Sequence, residues 1–356
     1  ELAGDDRMSG RLRIAAARDW QPSARYQRIR TIDAHTGGEP FRVVLDAPAI
    51  PGEDILAKRR FAQTRLDELR RLLMWEPRGH ADMYGCFLVE PNDAEADFGI
   101  LFLHNEGFST MCGHGIIAAT KVVLETGMLP LAGDAAPVTI DAPAGRVYAT
   151  AHLVDGVVDE VSFRNVPSFV SELDATVEVP GLGTVRYDLA FGGAFYAFVD
   201  AASVGIGCGP AHLGQQVALG RAIKQAVTAA RPIEHPASTD LSFLYGVIFT
   251  GPASDPAHHS RNVCVFADGE VDRCPTGTGV SARAAIHHAR SELALGDWIT
   301  IESITGSRFA VRALETTSFG PHAAVIPEVR GQAWICGRNE LLLDPADAFL
   351  TGFFLR

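Results

Sequence analysis

Met111-Cys112-Gly113-His114-Gly115 stands between an apolar run, Gly99-Ile100-Leu101-Phe102-Leu103-His104, and a helical pattern from Ile116 to Glu125. A strand, a Gly-x-Gly turn and a helix in that order place Cys112 on the first turn of the helix. The first N–H groups there have no intrahelical acceptor and the helix dipole is positive. Such a place suits a thiol meant to ionise, and the same N–H groups suit a carboxylate. Farther along, Asp272-Arg273-Cys274-Pro275-Thr276-Gly277-Thr278-Gly279 follows two strand patterns, Leu244 to Thr250 and Asn262 to Phe266. It leads into a helix expected from Val280 to about Leu293. Cys112-Gly113-His114-Gly115 lines up with Thr276-Gly277-Thr278-Gly279, so the chain reads as two similar halves, each presenting one helix start. Two such ends facing across a cleft would clamp a carboxylate from both sides.

The rest of the 356 residues bounds the chemistry. A net charge of -12 with no cluster of lysine and arginine argues against nucleic acid or an anionic membrane surface as partner. The longest uncharged stretch, Ala201 to Gly220, is broken by Gly205, Gly207, Gly209 and Pro210, so no transmembrane helix is expected. The six cysteines lie far apart without a C-x-x-C pair, which excludes a zinc knuckle or a disulfide framework and fits a reducing, cytoplasmic setting. The three lysines, Lys58, Lys121 and Lys224, stand in no motif suited to a pyridoxal Schiff base. No metal and no cofactor is expected.

Read in order, residues 1–28 are an arginine- and alanine-rich extension expected to be disordered, a composition also seen in mitochondrial presequences. Residues 29–160 are expected to form the first half and 161–334 the second, with 335–356 returning to the first. Strands are expected from Tyr26 to Asp33 and from Phe41 to Leu45, with His35 to Pro40 as a turn whose His35 and Glu39 are held locally. Residues 54–74 read as one helix with a solvated arginine face. A further helix is expected from about Leu213 to Ala230. His258-His259 and His287-His288 read as surface residues, since neither pair has further ligands at metal spacing.

Several stretches match a known family: Asp33 to Pro40, Glu76 to His80, Asp82-Met83-Tyr84-Gly85, His104 to Gly107, Met111 to Gly115, Phe191 to Phe195 and Asp272 to Gly279. On these the chain resembles the proline racemase superfamily from about Ile29 onward. The resemblance implies an α+β fold of two pseudo-symmetric domains, each an antiparallel, barrel-like sheet around a central helix, as in diaminopimelate epimerase. It also implies a homodimer and a hydroxyproline-type substrate. Racemases of this kind carry a cysteine after the proline of the last motif, where this chain has Thr276. Threonine there marks the trans-3-hydroxy-L-proline dehydratase branch. Cys274 falls two residues earlier, where the family usually has serine, and is read as a loop side chain.

A racemase needs an acid/base on each face of the α-carbon, and a threonine hydroxyl is too weak an acid to be the second. In trans-3-hydroxy-L-proline the hydroxyl and the α-hydrogen share one ring face, so a single base on that face suffices for elimination. Cys112 is then the expected base, a thiolate favoured by the helix start and by His114, with Thr276 setting specificity. The resemblance implies that N–H groups around Gly113-His114 and Gly277-Thr278 hold the carboxylate and that Asp272 pairs with the ring ammonium. Competing readings are an epimerase or racemase using Cys274 or water as second acid, a cysteine hydrolase using Cys112 and His114, and a non-catalytic amino-acid-binding protein.

Overall fold

A computed structural model describes residues 14–131 and 133–355. The extension expected over residues 1–28 therefore lies partly outside the described residues; within them α1 (Ile14–Arg18) is a short exposed turn of helix.

Each half repeats one order of elements. The first runs β1 (Gln27–Thr36), β2 (Glu39–Val44), α2 (Ile55–Arg65), α3 (Asp67–Met74), β3 (Tyr84–Val89), β4 (Phe98–His104), β5 (Phe108–Ser109), α4 (Gly113–Glu125), β6 (Ala135–Ala142), β7 (Gly145–Val154) and β8 (Val157–Arg164). The second begins with β9 (Ser168–Val179), β10 (Gly183–Phe191), β11 (Phe195–Asp200), α5 (Leu213–Ala230), β12 (Leu244–Gly251), β13 (Ser260–Phe266) and β14 (Glu270–Val271). It closes with α6 (Gly277–Ala289), β15 (Ile299–Glu302), β16 (Arg308–Phe319) and β17 (His322–Gly331), after which β18 (Ala333–Leu343) pairs antiparallel along β1.

The pairings repeat as well. β2 lies parallel to β3 as β11 does to β12, and β4 parallel to β6 as β13 does to β15, within an otherwise antiparallel sheet. Each sheet curls around a helix with little polar surface of its own. In α4 every residue from Gly113 to Leu124 is buried, and in α6 every residue from Gly277 to Ile286. A helix apolar all round must be enclosed, and the largest hydrophobic cluster contains residues of both helices. By contrast α5 buries only Gln216, Gly220, Ile223 and Val227, one stripe at helical spacing, and lies on the surface. Among the described residues no helix is long and apolar enough to cross a membrane.

Three sequence expectations need correction. The helix of residues 54–74 is two helices, because Leu66 leaves the helical region (φ -121°, ψ 16°) and Asp67-Glu68 starts a new N-terminus with acidic residues in its first turn. Its arginines are not all solvated. Arg59 turns inward and donates from Nε and Nη2 to the Phe108 carbonyl (3.0 and 2.6 Å), while Arg70 donates to the carbonyls of His104 and Asn105. These two side chains clamp the loop that leads to Cys112. Third, His258 and His287 are half-buried, against Glu302 and against Arg283 and Glu292 respectively.

Candidate active site

The helix starts of α4 and α6 meet where the halves join. A Cβ added to Gly277 would lie 2.5 Å from the Gly113 Cα, and one added to Gly113 as close to the Gly277 Cα. Only glycine at both positions allows backbones this near. Around the junction both halves line one small cavity. The cavity wall brings together all seven residues singled out in the sequence: Cys112, Gly113, His114, Asp272, Thr276, Gly277 and Thr278.

Cys112 is the N-cap of α4, with extended backbone and Sγ accepting from the Gly115 N–H at 3.2 Å. His114 Nδ1 lies 3.2 Å from the same sulfur. Burial pushes the His114 imidazole down to about 3, so the ring is neutral at physiological pH; it also hydrogen-bonds the Pro40 carbonyl. His114 sits inside the helix rather than capping it. The expected lowering of the Cys112 thiol does not hold in this closed state. Burial pushes it well up, the Gly115 N–H offsets part of that, and the nearby Asp272 and Glu39 carboxyls push it further.

On the facing side Thr276 caps α6 with φ 68° and ψ 97°. A β-branched residue rarely adopts positive φ, and holding it there costs about 1–3 kcal/mol. Its Oγ1 donates to Asp272 Oδ2 at 2.8 Å, and its N–H donates to Cys274 Sγ at 3.4 Å. The Cys274 N–H in turn donates to Asp272 Oδ1 at 2.8 Å. Cys274 is buried behind Asp272 and does not line the cavity. His114, Asp272 and Cys274 bring donor atoms within 4.8 Å of one another and could hold a cation; the hydrogen bonding between Cys274 and Asp272 already accounts for that closeness.

Four residues of this site were not recognised in the sequence. Glu39, read as a local turn residue, is fully buried; its Oε2 accepts from the Arg273 N–H at 2.7 Å and its Oε1 has no partner. The turn itself is only Gly37-Gly38, both at positive φ, so the strands continue through Thr36 and from Glu39. Tyr84, Tyr196 and Tyr245 also line the cavity. Tyr84 stands inside the Asp82–Gly85 motif and Tyr196 directly after Phe191–Phe195, so the motifs pointed to those two. Nothing local marked Tyr245.

Glu39 and Asp272 are a pair of buried carboxyls. Burial pushes Asp272 up to about 6 and Glu39 well above the usual carboxylate range, and the Asp272 charge raises Glu39 further. A carboxyl raised in the folded state binds more protons than its unfolded form. The contribution of these two groups to stability is therefore greatest below the ordinary carboxylate range and falls as pH rises through about 4 to 6 and beyond. Glu39→Gln imitates the protonated acid. It is expected to leave stability unchanged near pH 4 and to raise it by about 1–3 kcal/mol at pH 8, which urea denaturation at the two pH values measures. Equal stability of variant and parent at pH 8 would show that Glu39 carries no such cost.

Residues 31–354 match the proline racemase family. The chain belongs to that family. It is 48% identical over 341 residues to a trans-3-hydroxy-L-proline dehydratase of Colwellia psychrerythraea, an alignment covering 95% of this chain and 96% of that protein. It is 43% identical over 329 residues to a 3-hydroxyproline 2-epimerase of Burkholderia multivorans, covering 92% and 98%. A solved hydroxyproline epimerase from Agrobacterium vitis, with bound trans-4-hydroxy-L-proline, superposes with a TM-score of 0.88 at 33% identity, covering 94% and 96%.

Proposed function

We propose that this member of the proline racemase family dehydrates trans-3-hydroxy-L-proline, Cys112 acting as the single base, to the Δ2 enamine that isomerises to Δ1-pyrroline-2-carboxylate. One observation carries the reading. Among the described residues Cys112 is the only thiol in the cavity wall, and the position facing it is Thr276, whose hydroxyl proton is committed to Asp272. The substrate carboxylate fits against the first-turn N–H groups of α4 and α6, and Asp272 would take the ring ammonium. Neutralising the carboxylate makes the α-proton removable. Relatives named as trans-3-hydroxy-L-proline dehydratases, at 42–48% identity, support the same substrate.

Epimerisation is the second reading, favoured by the 3-hydroxyproline 2-epimerase relative. Its second acid would be Cys274 or water, and Cys274 stands outside the cavity wall with its thiol pushed well up by burial. The cysteine hydrolase reading suffers from the neutral, buried His114, whose second partner is a carbonyl rather than an orienting carboxylate. NMR of the enzyme with trans-3-hydroxy-L-proline in D2O separates the readings. Appearance of Δ1-pyrroline-2-carboxylate without the cis-3-hydroxy-D epimer is expected; accumulation of the epimer without dehydration would overturn the proposal.

A further inference from the structure

Elimination needs an acid for the departing hydroxide as well as a base. We propose that Tyr84 is that acid, standing beside Cys112 on the same face of the substrate; this rests on the dehydratase reading above.

The Tyr84 ring is fixed. It opens β3, is buried, stacks on His104 with centroids 5.5 Å apart and meets His114 edge-on at 4.9 Å. Its hydroxyl lies at the centre of a buried cluster, hydrogen-bonded to Ser109 Oγ and, at 3.1 Å, to Tyr245 Oη. Tyr84 and Cys112 stand in the same wall of the cavity. Either oxygen can donate in each of these bonds; when Ser109 and Tyr245 donate, the Tyr84 proton is left free for the cavity that Cys112 also lines. The same two donors are what a phenolate at this position requires. Of the two other cavity tyrosines, both in the opposite half, Tyr245 bonds Tyr84 itself and Tyr196 is tied to Thr278 Oγ1 at 2.8 Å.

Stereochemistry puts the reacting groups on this side. The α-hydrogen and the 3-hydroxyl share a ring face on neighbouring carbons, so a base aimed at one carbon needs an acid next to it, aimed at the other. Cys112 and Tyr84 are such neighbours. The thiolate takes the α-proton, the Cα–H electron pair forms the C2–C3 double bond, and the C3–O pair leaves on oxygen. That oxygen takes the Tyr84 proton and departs as water. The phenolate then recovers a proton from the new Cys112 S–H within the same cavity, which restores both groups. The sum is substrate to enamine plus water, with no outside proton needed. Hydroxide is a far stronger base than a phenolate, so the transfer runs downhill even with the Tyr84 phenol raised by burial.

The test is a leaving group that needs no proton. Tyr84→Phe is expected to lower kcat on trans-3-hydroxy-L-proline by about 10²-fold or more and to change chloride elimination from trans-3-chloro-L-proline by less than about fivefold. Comparable losses on both compounds would mean that Tyr84 only shapes the site, and no loss on either would mean that another group is the acid; both results overturn the proposal. Tyr245→Phe removes one donor to the Tyr84 oxygen. A smaller loss confined to the hydroxy compound is expected, which keeps the test available should Tyr84→Phe misfold. A parent enzyme that turns over neither compound would sink the dehydratase reading itself, and this proposal with it.

Discussion

Cys112→Ser is expected to lower kcat on trans-3-hydroxy-L-proline by about 10³-fold or more, with the protein still folded and still binding the substrate. A serine oxygen keeps the hydrogen bond from the Gly115 N–H, which Sγ now accepts at 3.2 Å. It does not ionise at any pH the protein survives. Calorimetric titration of the variant, beside a turnover assay, separates loss of the base from loss of the site. Turnover within about tenfold of the parent would remove Cys112 from the mechanism. The expectation includes a condition that the sequence did not suggest. With the cavity closed, burial and the Asp272 and Glu39 carboxyls hold the thiol in its neutral form. A substrate ammonium placed against Asp272 reverses one of these contributions, since a positive charge nearby favours the thiolate. On the proposed mechanism the base would thus be armed by the molecule it acts on. Trapping by an alkylating agent should be slow in the free enzyme, where Cys112 is 4% exposed.

The parts of this site visible in the sequence are those built by local rules. A strand, a Gly-x-Gly and a helix can be read between Gly99 and Glu125, and doing so twice exposed the repeat and the two helix starts, while the resemblance to the proline racemase superfamily supplied Asp272 and the binding roles. The branch reading followed from one position, Thr276 in place of a cysteine. What stayed hidden depends on partners far along the chain. Glu39 finds the Arg273 N–H across 234 residues, and Tyr245 meets Tyr84 across 161; no pattern around either residue records that meeting. The inward turn of Arg59 and Arg70 is hidden for the same reason. Their acceptors are the carbonyls of the loop before Cys112, and a carbonyl leaves no trace in residue type. Charge patterning reads such arginines as solvated because most are. The direction of the Cys112 shift was misread because the helix start, which favours the thiolate, was legible and the surrounding carboxyls and burial were not.

Gly277→Ala is expected to leave the fold intact and remove nearly all activity. The methyl would stand 2.5 Å from the Gly113 Cα and 3.1 Å from its carbonyl carbon. Both are backbone atoms at the start of a buried helix, so neither can swing aside as a side chain would. The strain is relieved only by moving α4 and α6 apart. Away from that contact alanine favours the helix by about 0.5–1 kcal/mol over glycine, so the cost falls on closure rather than on folding. That contact sets Cys112 and Thr276 in the wall of one small cavity, and on the proposed reading it brings the two rows of N–H groups onto one carboxylate. A displacement near 1 Å there is worth about 10²-fold in rate, and a loss of that order or greater in kcat/KM is expected, with circular dichroism and Tm close to those of the parent. Gly113→Ala presses the same contact from the other side and should behave alike. Full activity in either variant would show that the helix starts need not touch during turnover, and that the carboxylate is held by one half alone.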